Sequence, residues 1–467
     1  MIFRGGDIQR MGLLVFALLA SAPSLARAQN TSADAGASTP AVVDGGDESA
    51  DADQGESEDV EANAAATSGY TPPASAESPL TITGYVDLGF AHATGNGSSF
   101  PPNDTRLPAD YGEDAFAPAV NSRGDVASTN PNGQFVNHFL PYSMNIGDRP
   151  SFLINTVDLD VRYAPTTMPV LLFTRVQALP RFYDNSGDVT PVVVEQAFAR
   201  VAPFSTQEFA LTAGKFDPVF GIEYLENEAN LRTGVVPSLI ARYTTGQQLG
   251  VKAFYRYEFA SIWSAISLNV ACTNGSSEVP ALQTNTISLT GAPDFSARLG
   301  YELNLPSMQI KLGASGLLGP RNDQTDATVQ QRAIGFDARL FIAGFTLAAE
   351  GIDLHQDPGT TDEKLTGTGD GVFASEFDVR GWYLFAGYAL PFQAGALHKI
   401  TIYGRYDRRH AYFEGFADVL EDRYTAGFRV DLWDSLAIKG ELVFNQELRG
   451  APNVDNNVQT SSLVYTW

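Results

Sequence analysis

The sequence predicts an all-β fold, a transmembrane antiparallel β-barrel of about 16 strands with short turns at one end and long loops at the other. Three observations carry this expectation. Apolar and polar residues alternate with period two in stretch after stretch from Leu80 onward. The connections between these stretches are short and long by turns. The final residues, VQTSSLVYTW, put Leu463, Tyr465 and Trp467 on one face and finish on an aromatic, which suits a membrane interface.

Composition agrees. Of 467 residues, 43 are Gly, 11% are aromatic and only 18% are charged, which suits a β protein with a large apolar exterior. The mean hydropathy of -0.10 is what alternation of lipid-facing and water-facing residues averages to. From Gln29 onward no apolar run reaches the ~18 residues of a membrane helix.

Taken in order, the chain opens with Arg4 and Arg10, an apolar run from Met11 to Ala22, and a small-x-small site at Ala26–Ala28. Residues 1–28 therefore read as a secretory signal peptide. Residues 29–79 hold eleven acids and no Lys or Arg, amid Ala, Ser, Gly, Thr and Pro. This stretch has too little apolar area to offset its ordering entropy, so a disordered acidic periplasmic linker is expected. The formal charge of -24 comes with no basic patch, which argues against nucleic acid as a partner. Cys272 is the single cysteine, so no internal disulfide forms.

The barrel is expected over 80–467. Leu80, Ile82, Gly84, Val86, Leu88 and Phe90 alternate with Thr81, Thr83, Tyr85, Asp87 and Gly89. The same pattern recurs at 153–163, 248–258, 295–304, 308–318, 334–342, 423–432 and 436–445, and more faintly at seven further places. The polar face supplies the candidate lumen lining: Asp158, Asp160, Arg162, Lys252, Arg256, Arg298, Glu302, Lys311, Asp337, Arg339, Arg405, Arg429 and Asp431. At 191–202 and 377–390 the charges break parity. Glu195 and Arg200 fall on opposite faces, which predicts a β-bulge or a shifted phase. Short connections are expected at 164–169, 203–208, 258–261, 305–307, 343–344, 391–396 and 433–435. Long ones are expected at 94–150, 180–190, 217–246, 273–293, 319–330, 355–376, 408–422 and 446–457. With the linker in the periplasm, the short turns are periplasmic and the long loops extracellular. Trp433 and Trp467 then fall where an aromatic girdle belongs. Closure requires the last strand to pair with the first, so that Leu463, Tyr465 and Trp467 share a lipid-facing surface with Leu80, Ile82 and Val86.

The segments VEQAFARVAPF (194–204) and AGKFDPVFGIEY (213–224), with the strand between them, resemble the corresponding stretch of the general and phosphate-selective porins of Gram-negative bacteria. The likeness is local, within a barrel pattern that covers 80–467. It implies a sixteen-stranded, often trimeric, water-filled channel in the cell outer membrane that passes small hydrophilic solutes or ions. It also implies that the third long loop, 217–246, folds inward and narrows the channel. That loop carries Asp217, Glu223, Glu226 and Glu228, then Arg232 and Arg242. Opposed acids and bases at a constriction would set up a transverse field that selects ions. Phosphate-selective members lean on clustered lysines, whereas the six lysines here come one at a time. Arginines on the polar face are matched by acids, so a mixed lumen is expected.

An enzyme is not expected. His92, His355 and His410 fall near the loop ends of strands, beside Asp353, Asp357 and Asp407, but in no nucleophile motif. Neither a cofactor nor a metal is expected, since no loop has EF-hand spacing. Two function classes remain open. One is a passive channel in outer-membrane lipid. The other is a barrel plugged by the long first loop, 94–150, that serves as an anchor or receptor.

Overall fold

The computed structural model describes residues 79–93, 128–129, 135–136, 151–178, 192–204, 208–226, 228–244, 247–259, 263–274, 290–320, 327–358, 376–413, 419–449 and 457–467. The expected signal peptide, nearly all of the acidic linker and most of loop 94–150 lie outside these residues.

Sixteen strands close into one antiparallel barrel: β1 (Leu80–Ala93), β4 (Ser151–Tyr163), β5 (Val170–Ala178), β6 (Val192–Val201), β7 (Glu208–Phe216), β8 (Gln248–Phe259), β9 (Ser264–Thr273), β10 (Asp294–Leu305), β11 (Met308–Pro320), β12 (Gln330–Ile342), β13 (Phe345–Gln356), β14 (Phe377–Ala389), β15 (Leu397–Phe413), β16 (Val419–Leu432), β17 (Leu436–Arg449) and β18 (Val458–Thr466). Each pairs with its chain neighbours, and β1 pairs with β18 to remove both edges. Two further short strands, β2 (Ser128–Thr129) and β3 (Phe135–Val136), pair with each other.

Alternation decides which way each side chain points. Val251, Leu299, Leu312, Ile334, Phe336, Phe428 and Leu442 are exposed on the outside, as a surface bathed in lipid demands. Their strand neighbours Lys252, Arg298, Lys311, Asp337, Arg429 and Glu441 point to the interior and are half-buried or buried. The short-turn end carries exposed Met168, Phe204, Trp263, Phe392, Trp433 and Trp467, an aromatic and apolar ring. Three of these turns are tight enough to force non-glycine residues to positive φ, at Trp263, Ala343 and Trp433. In the Ala343–Gly344 turn both residues are positive (50° and 80°), which matches the twist of the flanking strands.

The closing seam is specific. Val86 sits opposite Tyr465 and Leu88 opposite Leu463. Trp467 exchanges backbone hydrogen bonds with Gly84 in both directions, at 3.0 and 3.2 Å. Its ring lies where a Cβ on Gly84 would come within 2.7 Å, and that Cβ would also press on the Asp158 carbonyl. Gly84→Val should therefore cost about 1–3 kcal/mol through overpacking. A lower thermal midpoint of the folded, heat-modifiable species in detergent would register it.

Three expectations are corrected in detail. A bulge in β4, with Asp87 opposite Thr156 and Leu88 opposite Ile154, shifts the phase at Asn155, so that Phe152 and Ile154 face outward. The parity break at 377–390 is no bulge, because β14 pairs in continuous register with both neighbours. Asp378 and Arg380 instead share the outward face with Trp382 near the long-loop rim. The connection expected at 408–422 is only 414–418, because β15 and β16 run on through the charged residues. Arg408 pairs with Asp422 (2.7 Å) and Arg409 with Glu421 (2.8 Å) across that extension. Cross-strand ion pairs let a charged run stay in the ladder where sequence alone suggests a loop. At 191–202 the bulge is present, at Glu195: Arg175 faces Gln196 while Val176 faces Val194.

Pairing is uneven around the barrel. The β6–β7 joint has five facing pairs, from Ala197–Lys215 to Val201–Leu211. The β15–β16 joint runs continuously from Lys399–Asp431 to Ala411–Val419.

Candidate functional site: a loop folded into the lumen

The segment 217–247 leaves β7 and enters the barrel. Among its described residues the regular structure is a 3-10 turn at Glu223–Glu226 and a short helix at Ala241–Thr244. Val219, Phe220, Ile222, Val235, Val236, Ile240 and Tyr243 are essentially fully buried. Removing those side chains from water favours the inward position. An irregular backbone inside a barrel must still satisfy its N–H and C=O groups, and the wall does so.

Wall acids accept from the loop. Glu350 takes the N–H of Ile222 (2.8 Å), Glu441 that of Val236 (2.8 Å) and Asp407 that of Leu239 (3.3 Å). Wall bases donate to it. Arg405 reaches the carbonyls of Val236 (2.8 Å) and Pro237 (2.5 Å), Arg423 that of Pro237 (3.3 Å) and Arg429 that of Arg232 (3.1 Å). Lys439 donates to the carbonyls of Ala229, Arg232 and Gly234. Gly221, at φ 78°, brings the loop backbone against Glu350 and Thr244, where a side chain would collide.

The loop acids separate. Glu228 meets Arg175 (3.0 Å) and accepts from the Tyr85 hydroxyl (2.6 Å). Glu226 meets Arg339 (3.0 Å). Glu223 turns back on its own loop, accepting from the N–H and hydroxyl of Ser238, and burial pushes its pKa up. Asp217 accepts from Gln196 (2.9 Å), and burial raises its pKa to about 6 against the lowering effect of Lys252 and Arg175. Arg232 is buried among β16 and β17, its carbonyl held by Arg429 and Lys439. The side chain of Arg242 lies outside the described residues.

Beside the loop, toward β6–β9, a cavity is lined by Arg200, Asp217, Tyr224, Lys252, Phe254 and Asn269, among others. Lys252 lies over the Phe216 ring (4.8 Å) and donates to the Asp217 carbonyl (3.2 Å). Thus an acid of the loop and bases of the wall border one space. The remaining lumen candidates form ladders of pairs. Asp160 holds Arg175 through two bonds of 2.7 Å, and Asp337 holds Arg298 at 2.6 and 3.1 Å. Arg256 reaches Glu208, Glu258 and Glu302. Arg429 pairs with Asp431 (2.8 Å) and Arg405 with Asp407 (3.0 Å). Arg162 is exposed near the short-turn end of β4, and Asp158 is fully buried against the loop. Lys311 stays half-buried in the lumen.

Sequence reasoning missed Arg175, Glu350 and Arg423, which clamp the loop. The faintness of the pattern at 170–179 hid Arg175, although Phe173, Arg175 and Gln177 share its inner parity. The apolar residues of 217–246 were the available signal that this loop is not solvated.

Lipid-facing apolar residues outside, ionisable residues inside and an inward third loop in a closed ladder decide the fold. The chain is a closed sixteen-stranded antiparallel β-barrel of the transmembrane kind. Comparison with protein-family models finds no match, and neither does comparison with curated proteins. Among solved structures, the barrel is similar to the outer membrane channel DcaP of Acinetobacter baumannii (10% identity, 83% of this chain and 97% of that chain, TM-score 0.49). It is similar to the anion-selective porin from Comamonas acidovorans (9%, 83% and 99%, 0.45). A third is OmpT, an outer membrane protein of Vibrio cholerae in trimer form (11%, 83% and 99%, 0.44). At such scores and identities no function is carried over from them to this barrel.

Proposed function

We propose that this barrel is an outer-membrane porin, a channel for passive diffusion of small hydrophilic solutes or ions, narrowed by 217–247. The observation that carries the reading is the row Lys252, Arg256, Arg298, Glu302 and Lys311, which keeps solvent access inside the barrel with the loop in place. A structural barrel has no need of an ionisable, wetted interior. In this reading the outward face meets outer-membrane lipid, the short turns are periplasmic, the barrel assembles as a homotrimer, and no catalysis is involved. Planar-bilayer recording of the purified protein tests it. A steady conductance supports a channel; silence across many insertions of folded barrels would overturn it. That silence would favour the second reading, a plugged anchor or receptor, whose support is the grip of β13 and β15–β17 on the loop.

The ion preference should depend on pH. Asp217 loses its charge as pH falls through about 6, in a cavity that it shares with Arg200 and Lys252. The reversal potential in a salt gradient should therefore move toward anion preference between pH 7.5 and 5. Asp217→Asn should show the low-pH value throughout. A pH step that persists in this variant would exclude Asp217 as its origin.

A further inference from the structure

We propose that Asp158, Glu195 and Glu228 form a binding site for one hard divalent cation of the calcium type, which ties the inward loop to the barrel wall. The three carboxylates come from β4, β6 and the loop, and are 0%, 2% and 3% exposed. One oxygen from each lies within 4.8 Å of the others. Oxygens that share a calcium ion at about 2.3–2.6 Å stand roughly 3–5 Å apart, so this spacing fits. An all-oxygen, all-anionic set selects a hard cation over zinc or copper.

A second observation points to a ligand. Both carboxylate oxygens of Asp158 are buried and receive no N–H or hydroxyl donor, and the one polar group set against them is another acid, the carboxyl of Glu228. A buried ionised carboxylate needs a cation or a proton. The nearby guanidinium, Arg175, is already engaged by Asp160 through two bonds and by Glu228. Glu195 accepts from the amides of Gln177 (2.9 Å) and Gln247 (3.0 Å), which are neutral donors. Lys215, on the next strand, donates to the Val194 carbonyl. The backbone is also bent toward this point. The bulge at Glu195 turns both it and Gln196 inward, and the bulge at Asn155 lies three residues before Asp158.

The site stands whether or not solutes cross the barrel, so its failure leaves the bilayer recording untouched. Its test uses the full chain in detergent, stripped with EDTA and titrated with Tb³⁺. Luminescence is excited through tyrosine, because the Tyr85 hydroxyl donates to Glu228 at 2.6 Å. The expected result is saturation at one ion per barrel, displacement by Ca²⁺, and affinity weaker by more than about tenfold in Asp158→Asn/Glu195→Gln. Asp378→Asn, in the separate rim group with His355 and Glu376, should leave the signal unchanged. No saturable signal, an equal signal in the double variant, or loss only in Asp378→Asn would overturn the proposal, and the three acids would then share protons. If the double variant does not refold, elemental mass spectrometry of the wild type after dialysis against Ca²⁺ and then ion-free buffer decides: one calcium per barrel supports the site, none overturns it.

Discussion

Replacing 219–243 with a short Gly/Ser bridge is expected to raise the single-channel conductance several-fold while the barrel still forms. The loop fills the lumen with side chains that are almost wholly buried, so removing it opens the cross-section along β13–β17. The barrel should survive, since all sixteen strands pair with their neighbours without the loop. A cost in thermal stability is expected alongside. Glu350, Asp407, Glu441, Arg405, Arg423 and Lys439 lose backbone partners, although water entering the wider lumen can replace them. Bilayer recording of the deletion beside the intact chain reads the first effect, and the melting of the heat-modifiable species reads the second. An unchanged conductance would mean that the loop is not the constriction.

The second large effect lies on the opposite side of the wall. Phe336 is 65% exposed on the outside of β12, midway along the strand. Phe336→Arg should destabilise the barrel in lipid by about 2–4 kcal/mol, the cost of a cation near the bilayer midplane. The neighbouring position Gly335 faces inward, toward Phe220. A one-residue error in phase would therefore reverse which of the two sites is lipid-facing. Urea unfolding in vesicles measures the difference. A cost below about 1 kcal/mol would mean that this face does not lie in the hydrocarbon.

Much of this barrel was legible in the sequence, and the reason is physical. Lipid on one side and water on the other impose a strict two-residue period, so 295–304, 308–318 and 423–432 name their own faces. The closing pair of strands was legible for the same reason, as Leu463 and Tyr465 opposite Leu88 and Val86 bear out. What escaped were features in which the third dimension overrides the period. The extension of β15 and β16 depends on Arg408 finding Asp422, and charge alone reads as loop. The phase shift at Asn155 leaves no mark in composition. The loop was read through its acids and arginines, whereas its position follows from Val235, Val236, Ile240 and Phe220 and from wall residues far away in sequence. Arg232 illustrates the gap: it was expected opposite the loop acids, and the structure shows its carbonyl held by Arg429 and Lys439 of the wall.

The five-pair joint between β6 and β7 has a mechanical meaning. A closed barrel is a hoop, and a hoop parts where its staves are least joined. Here that joint has about a third of the bonded length found between β15 and β16. The loop begins at the end of β7 and is fastened back onto β6 through Asp217 and Gln196, so it acts as a strap across the thinnest seam. A segment that narrows the lumen would in this way also hold the ring shut against lateral tension in the membrane.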